Sequence, residues 1–208
     1  MNDFRTDVLP EKPVPQTEPV ENTSKEKPKR PAWLTFVWEV LQTLILAVVL
    51  YFLIDSVMGR VRVDNISMQP TLYPGEFLLV NKLALKMDSI HQGDIVVFHF
   101  PLDTNVDYIK RVVGMPGDTV RVSQGKVYVN ERELVEPYIA ADPNYTGVWT
   151  VPEGNIFVLG DNRNQSSDSH SWGYVPLDNV VGKALAVYWP FNQMKILTQP
   201  STAAAANE

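Results

Sequence analysis

Val120-Arg-Val-Ser-Gln-Gly-Lys-Val-Tyr-Val129 reads as two short strands meeting at a two-residue turn. Apolar and polar residues alternate on either side of Gln124 and Gly125, and glycine tolerates the positive φ that a tight hairpin turn requires. The same signature recurs outward along the chain. Strand-like runs cover Glu76–Asn81, Asp94–Phe100, Tyr108–Val113, Thr119–Val122, Lys126–Asn130, Ile156–Leu159 and Val180–Trp189. Tyr-Pro-Gly at 73–75, Gln-Gly at 92–93 and Met-Pro-Gly-Asp at 115–118 punctuate them. No helical pattern in this part of the chain persists for three turns. The expectation is an all-β domain over 59–195, with mixed or antiparallel sheets and a small hairpin region around 119–155.

Trp33 to Ile54 is different in kind. These 22 residues hold one charge, Glu39. As a helix they would reach about 33 Å, enough to cross a hydrocarbon core of ~30 Å. Glu39 lies within two turns of the N-terminal end, where Trp33 and Trp38 sit as interfacial aromatics would. A buried core helix competes with a span, because Glu39 and Gln42 interrupt the apolar run. A cleaved signal peptide fits less well, since no small-x-small cleavage site follows Ile54.

Residues 1–31 carry six of the sixteen prolines, six acidic and six basic side chains, and almost no large apolar ones. Such a segment cannot bury enough apolar area to offset the entropy of ordering it, so a disordered tail is expected. A second, flexible tail is expected over 196–208. Lys25, Lys27, Lys29 and Arg30 outnumber Arg60 and Arg62 across the span, so the positive-inside rule puts the first tail in the cytoplasm and the β-domain across the membrane.

The totals exclude whole classes of chemistry. With no cysteine among 208 residues there is no thiol nucleophile, disulfide or cysteine-ligated metal site. A net charge of −6 argues against a nucleic-acid partner.

Three segments could carry chemistry. Asn65-Ile-Ser-Met-Gln-Pro-Thr-Leu72 places Ser67 in a turn, but a serine nucleophile needs a base. In Val106-Asp-Tyr-Ile-Lys-Arg-Val-Val113, strand alternation sets Tyr108, Lys110 and Val112 on one face and Ile109, Arg111 and Val113 on the other. Either face then holds a cation among apolar neighbours. A buried lysine loses the solvation of its charged form, its pKa falls from ~10.4, and the neutral amine becomes a usable base. Gly160-Asp-Asn-Arg-Asn-Gln-Ser-Ser-Asp-Ser-His-Ser-Trp-Gly173 is a polar loop after a hydrophobic strand. Its donor spacing fails a calcium loop, because Arg163 and Gln165 stand where ligands should. It can instead form a scaffold in which a carboxylate holds Arg163 and hydroxyls orient a catalytic group. The residues alone leave two bases open, Lys110 and His170.

Together these segments resemble the bacterial type I signal peptidases (leader peptidases). Ser67-Met-Gln-Pro-Thr-Leu72, Gly93-Asp-Ile-Val-Val-Phe98, Tyr108-Ile-Lys-Arg-Val-Val-Gly-Met-Pro-Gly-Asp118 and Gly160-Asp-Asn-Arg163 with Ser166, Asp168 and Ser169 match the family's boxes in order. The resemblance covers roughly residues 33–190. It implies a membrane-anchored serine endopeptidase, without metal or cofactor, that cleaves signal peptides from exported preproteins after small residues. Ser67 would attack and Lys110 would take its proton. The Ser67 N–H would be one oxyanion donor. Asn65 stands at the second donor's position, where well-studied members carry serine. Ser166 matches the serine that hydrogen-bonds the lysine, and Asp161, Arg163 and Asp168 match the supporting network. His170 stands where many members carry arginine. Val63, Met68, Leu72, Tyr108 and Ile109 would line the pocket for the residue before the bond. The implied setting is the export (plasma) membrane, with lipid and the export translocon as partners alongside the preprotein. A non-catalytic anchored β-domain that binds extended peptides at a sheet edge is the alternative from another class.

Overall fold

The computed structural model describes residues 31–84 and 90–197. The expected N-terminal tail through Arg30 and everything from residue 198 onward lie outside the described residues.

Ala32–Val57 forms helix α1. Its stretch Trp33–Val57 has a mean hydropathy of 2.2 and none of it is buried. A core helix would be packed, so that competing reading falls, and the helix is long and apolar enough to cross a membrane. It outlasts the expected end at Ile54 by three residues. Asp55 and Ser56 continue the turn because the Ser56 hydroxyl donates back to the Leu53 carbonyl at 2.7 Å.

The rest is antiparallel β-structure. The strands are β1 (Met58–Arg62), β2 (Phe77–Asn81), β3 (Ile95–Phe100), β4 (Asp103–Gly114), β5 (Thr119–Ser123), β6 (Lys126–Val129), β7 (Arg132–Glu133), β8 (Gly147–Thr150), β9 (Asn155–Leu159), β10 (Val175–Pro176), β11 (Val180–Trp189) and β12 (Lys195–Ile196), with one short helix, α2 (Ser169–Trp172), between β9 and β10. The large sheet runs β1-β2-β11-β3-β4-β9-β10, with β12 paired to β11, and the small one runs β7-β6-β5-β8. Because Lys195 and Ile196 pair with Val187 and Ala186, the sheet continues past the expected domain end at 195.

Alternation distributes the apolar side chains over three cores. Ile95 and Val97 of β3 join Val63, Met68, Leu72 and Leu78 on one side of the sheet. Val96 and Phe98 face the other way, with Val112, Ile156 and Val158. Phe157 and Leu159 pack with Val113, Val120, Val122 and Val127 against the small sheet. At the β5–β6 hairpin, Gln124 and Gly125 both have positive φ (52° and 77°), the signature of a type I′ turn. The next turn repeats it with Asn130 and Glu131 (49° and 65°), which folds β7 onto β6. Region 119–155 therefore holds a four-stranded sheet.

Candidate active site

Met68 and Leu72 are both buried, and they pull the β1–β2 connection into the domain. Burying two such side chains contributes about 1.5–3 kcal/mol each, enough to hold a turn without regular structure. The turn is therefore not the solvent-exposed one its composition suggests: Ser67 is only 6% exposed.

Lys110 comes from the middle of β4, flanked by β3 and β9, and is 3% exposed. Its Nζ donates to Ser67 Oγ at 2.7 Å. Burial holds the ammonium down from its ordinary 10.5 to about 8, although the Asp168 and Asp161 carboxylates pull the other way. At pH 7 that leaves about one lysine in ten neutral, some 300-fold more than a solvated lysine would supply.

Arg111, on the opposite face of β4, is equally buried. Both faces of the strand thus carry a cation, and each finds a different solution. Arg111 donates to both Asp161 oxygens at 2.8 and 2.7 Å and to the Gly93 carbonyl at 2.8 Å, and its guanidinium lies 3.9 Å from the Tyr138 ring centroid. Arg111 is thus met by a carboxylate and a carbonyl, whereas Lys110 has, among the described residues, only a hydroxyl as hydrogen-bond partner.

The loop after β9 holds the Ser67 backbone. The Asn162 N–H donates to the Ser67 carbonyl at 3.0 Å, and the Asn162 amide donates to the Ile66 carbonyl at 3.2 Å. Gly160 passes so close to the turn that a Cβ there would lie 2.5 Å from the Ser67 carbonyl oxygen. Asp168 accepts from the Gly160 N–H at 2.9 Å and from the His170 N–H and Nδ1 at 3.2 and 2.6 Å, while the Ser169 hydroxyl accepts from the Val158 N–H at 3.0 Å.

Arg163 is held by Glu136, as one of its nitrogens donates to Oε2 at 2.6 Å and the other to Oε1. Burial disfavours its charge, but the Glu136 carboxylate more than offsets that and raises its pKa. The Tyr138 hydroxyl donates to the same carboxylate at 2.9 Å, and Asn164 ties the loop to the Asp142 carbonyl and the Asn144 N–H. Glu136, Tyr138 and Asn164 escaped the sequence reading, as did the role of Arg111.

Two expected contacts differ. Ser166 Oγ is buried and makes no hydrogen bond among the described residues, so the bond to Lys110 that the resemblance implies is not formed. Asn65 turns its carbonyl inward, accepting from Ser67 Oγ at 2.9 Å and from the Ser67 N–H at 3.4 Å. Of the five expected pocket residues, Val63, Met68 and Leu72 lie in the core, while Ile109 and Tyr108 keep some surface. Tyr108 stacks on Phe100 at 4.5 Å, and its ring lies 5.3 Å from Lys110 Nζ. A cleft of about 350 Å³ lies elsewhere, against Pro70, Thr71, Ile95, Tyr138 and Leu197.

His170 does not face the serine. Its ring is stacked on Tyr145 at 4.0 Å and turned to Asp168, with no hydrogen bond to Ser67 among the described residues.

The signal peptidase family, peptidase S26, matches residues 36–189. The protein named "Probable signal peptidase I-2" from Synechocystis sp. is 41% identical over 189 residues, covering 86% of this chain and 84% of its own. Signal peptidase I of Leptolyngbya laminosa is 39% identical, covering 90% of this chain and 95% of its own. A crystal structure of a signal peptidase I from Enterococcus faecalis aligns at 32% identity and a TM-score of 0.43, over 45% of this chain and 95% of that one. With three-quarters of its length inside the family match and a buried serine joined to a buried lysine, the chain belongs to the signal peptidase family, peptidase S26, and is a serine endopeptidase.

Proposed function

We propose that this enzyme removes signal peptides from exported preproteins, with Ser67 as nucleophile and Lys110 as general base. The 2.7 Å contact between Lys110 Nζ and Ser67 Oγ in a buried site carries the reading. The neutral amine takes the Ser67 proton as Oγ attacks the scissile carbonyl. The lysine then gives that proton to the leaving amine, and a water activated by the same lysine hydrolyses the acyl ester. Rotating the Asn65 amide about its Cβ–Cγ bond exchanges Oδ1 for Nδ2. That frees the Ser67 N–H and presents a second donor, so both can hold the oxyanion. Asp161, Arg163 and Asp168 act behind the dyad by fixing the loop that grips the Ser67 backbone, with Ser166 packed beneath Gly160 in the same loop.

Small residues before the bond are the expected specificity. Tyr108 and Ile109 wall the approach to the serine, with Val63, Met68 and Leu72 packed behind, and a tight apolar wall rejects bulk by clash. Helix α1 anchors the enzyme in the export membrane, its N-terminal tail in the cytoplasm and the β-domain on the outer face, following the lysine and arginine bias. Tethering keeps the site near substrates that emerge at the same surface, where the translocon delivers them. Trp189, Phe191, Met194 and Ile196 leave large apolar surfaces exposed, which suits contact with lipid.

Incubating the detergent-solubilised protein with a preprotein and reading the products by mass tests this function. Cleavage after an Ala-x-Ala site, abolished when the alanine before the bond becomes tryptophan, is expected. Cleavage that ignores the tryptophan, or none at all, would refute it.

A further inference from the structure

Asn162 grips Ser67 on both sides of its Cα. The Asn162 backbone N–H donates to the Ser67 carbonyl at 3.0 Å, and its side-chain amide donates to the Ile66 carbonyl at 3.2 Å. These two carbonyls belong to different peptide units. The Ile66 C=O shares a rigid plane with the Ser67 N–H, and the Ser67 C=O shares one with the Met68 N–H. In a trans peptide the C=O and the N–H point in opposite directions, so holding the Ile66 oxygen fixes where the Ser67 N–H points. With both flanking planes held, the two soft dihedrals of Ser67 have little freedom left, and its N–H and Cβ keep a set relation.

That direction is into the site. One oxygen, Asn65 Oδ1, meets Ser67 Oγ at 2.9 Å and lies 3.4 Å from the Ser67 nitrogen, so the hydroxyl and the N–H face the same space. The turn also holds the Ile66 carbonyl from within, through the Gln69 N–H at 3.1 Å, but that bond moves with the turn. The Asn162 amide instead ties the carbonyl to the loop after β9. There Asp161 takes two bonds from Arg111, and Asp168 holds the Gly160 N–H at 2.9 Å. A carbonyl only accepts, so the amide nitrogen of Asn162 faces Ile66, and its second N–H reaches Gln165 Oε1 at 3.3 Å.

We propose that Asn162 is a positioning residue for the oxyanion: by holding the Ile66 carbonyl, its side-chain amide sets the plane of the Ile66–Ser67 peptide and aims the Ser67 N–H at the charge that develops during attack. The inference rests on reading Ser67 as the nucleophile and its N–H as an oxyanion donor. As Oγ bonds to the scissile carbon, negative charge builds on the carbonyl oxygen, and a donor already aimed at it needs no reorganisation. A hydrogen bond weakens steeply as its angle closes towards ~120°, so a tilted peptide plane loses strength where the charge is greatest. That loss falls on the transition state rather than on substrate binding. The base comes from β4 and not from this loop, so its titration is a separate matter.

The test measures kcat and KM across pH for the detergent-solubilised parent, Asn162→Ala, Asn162→Asp and Asn162→His on one preprotein, with thermal unfolding of each. Losing an oxyanion donor outright costs roughly 10²–10³-fold in kcat, so misaiming one should cost Asn162→Ala about 10-fold. Asn162→Asp, whose carboxylate repels the Ile66 carbonyl, should lose about 100-fold. KM and the acid limb of the profile should match the parent, because neither ground-state binding nor Lys110 is touched. In Asn162→His, the Nδ1–H stands as far along the side chain as the asparagine nitrogen, so kcat should recover above that of Asn162→Ala. Gln165→Ala removes only the other acceptor of the amide and should keep the parent's rate. An Asn162→Ala enzyme within about two-fold of the parent's kcat, or a loss that appears in KM or moves the acid limb, would overturn the inference. So would an Asn162→His enzyme no faster than Asn162→Ala. If thermal unfolding shows that Asn162→Ala does not fold, Asn162→Asp against Asn162→His decides it by the same readings. Ser67→Ala separates this from the assignment of the nucleophile. A Ser67→Ala enzyme that still cleaves sinks both, whereas an inactive one beside Asn162 variants at the parent's rate sinks only the role of Asn162.

Discussion

Replacing Lys110 with methionine should end activity and at the same time make the protein more stable. Burial takes the ammonium from its ordinary 10.5 to about 8. A displacement of that size corresponds to about 3 kcal/mol at ~1.4 kcal/mol per pH unit, the cost of holding the charge in this site at neutral pH. Methionine fills a similar volume without a charge. It forfeits the hydrogen bond to Ser67, worth about 1 kcal/mol. The net gain is about 2 kcal/mol, or roughly 4–8 °C in Tm for a domain of this size. The pH dependence carries the sign. The pKa of Lys110 is lower in the folded state than in the unfolded one, so between about 8 and 10.5 the unfolded chain binds the extra proton. The parent therefore gains stability as pH rises through that window, and the variant does not. The advantage of methionine should be full below pH 8 and reversed above 10.5, where only the lost hydrogen bond, about 1 kcal/mol, remains. Urea or thermal unfolding of both proteins in one detergent, from pH 6.5 to 11, reads this directly. Curves that stay parallel across the range, or a variant less stable at pH 7, would refute the claim that burial strains the lysine.

Other perturbations probe the scaffold. Gly160→Ala puts a methyl group 2.5 Å from the Ser67 carbonyl oxygen and closer still to Ser166 Oγ, so the Ser67 turn must shift. Since a displacement near 1 Å can lower rates on the order of 100-fold, cleavage should collapse while circular dichroism keeps its β signature. Glu136→Gln removes the only carboxylate that, among the described residues, pairs with the buried Arg163, which should lower stability by about 3–5 kcal/mol in urea unfolding. A Glu136→Gln, Arg163→Met double variant should recover part of that loss, because no charge is then stranded. Ser166→Ala removes a buried hydroxyl that has no partner among the described residues, so its Tm should stay within about 2 °C of the parent or rise.

The β-architecture was legible wherever alternation ran against a clear breaker, as at Gln124 and Gly125. It failed where the breaker was atypical: Asn130 and Glu131 form the same turn type without the usual glycine, so β7 and the four-stranded small sheet went unread. Two-residue β12 lacks the length for alternation to register, glycines at 59 and 147 blur it in β1 and β8, and all three exist because neighbouring strands leave edges to pair with. The dyad was half legible. Alternation could say that one face of β4 buries a cation, but not that Arg111 meets a carboxylate while Lys110 meets a hydroxyl. That difference depends on Asp161 and Ser67, distant in sequence and brought in by other strands. The clamp through Glu136 was invisible for the same reason, since a glutamate between strands is solvated unless tertiary packing supplies an arginine.

The most direct test of the central claim is single-turnover cleavage of one preprotein by the parent, Ser67→Ala, Lys110→Ala and His170→Ala under identical detergent conditions. Loss of product formation in both dyad variants, with His170→Ala still active, is the predicted result. A Lys110→Ala enzyme that cleaves at the parent's rate, or a His170→Ala enzyme as dead as Ser67→Ala, would contradict it.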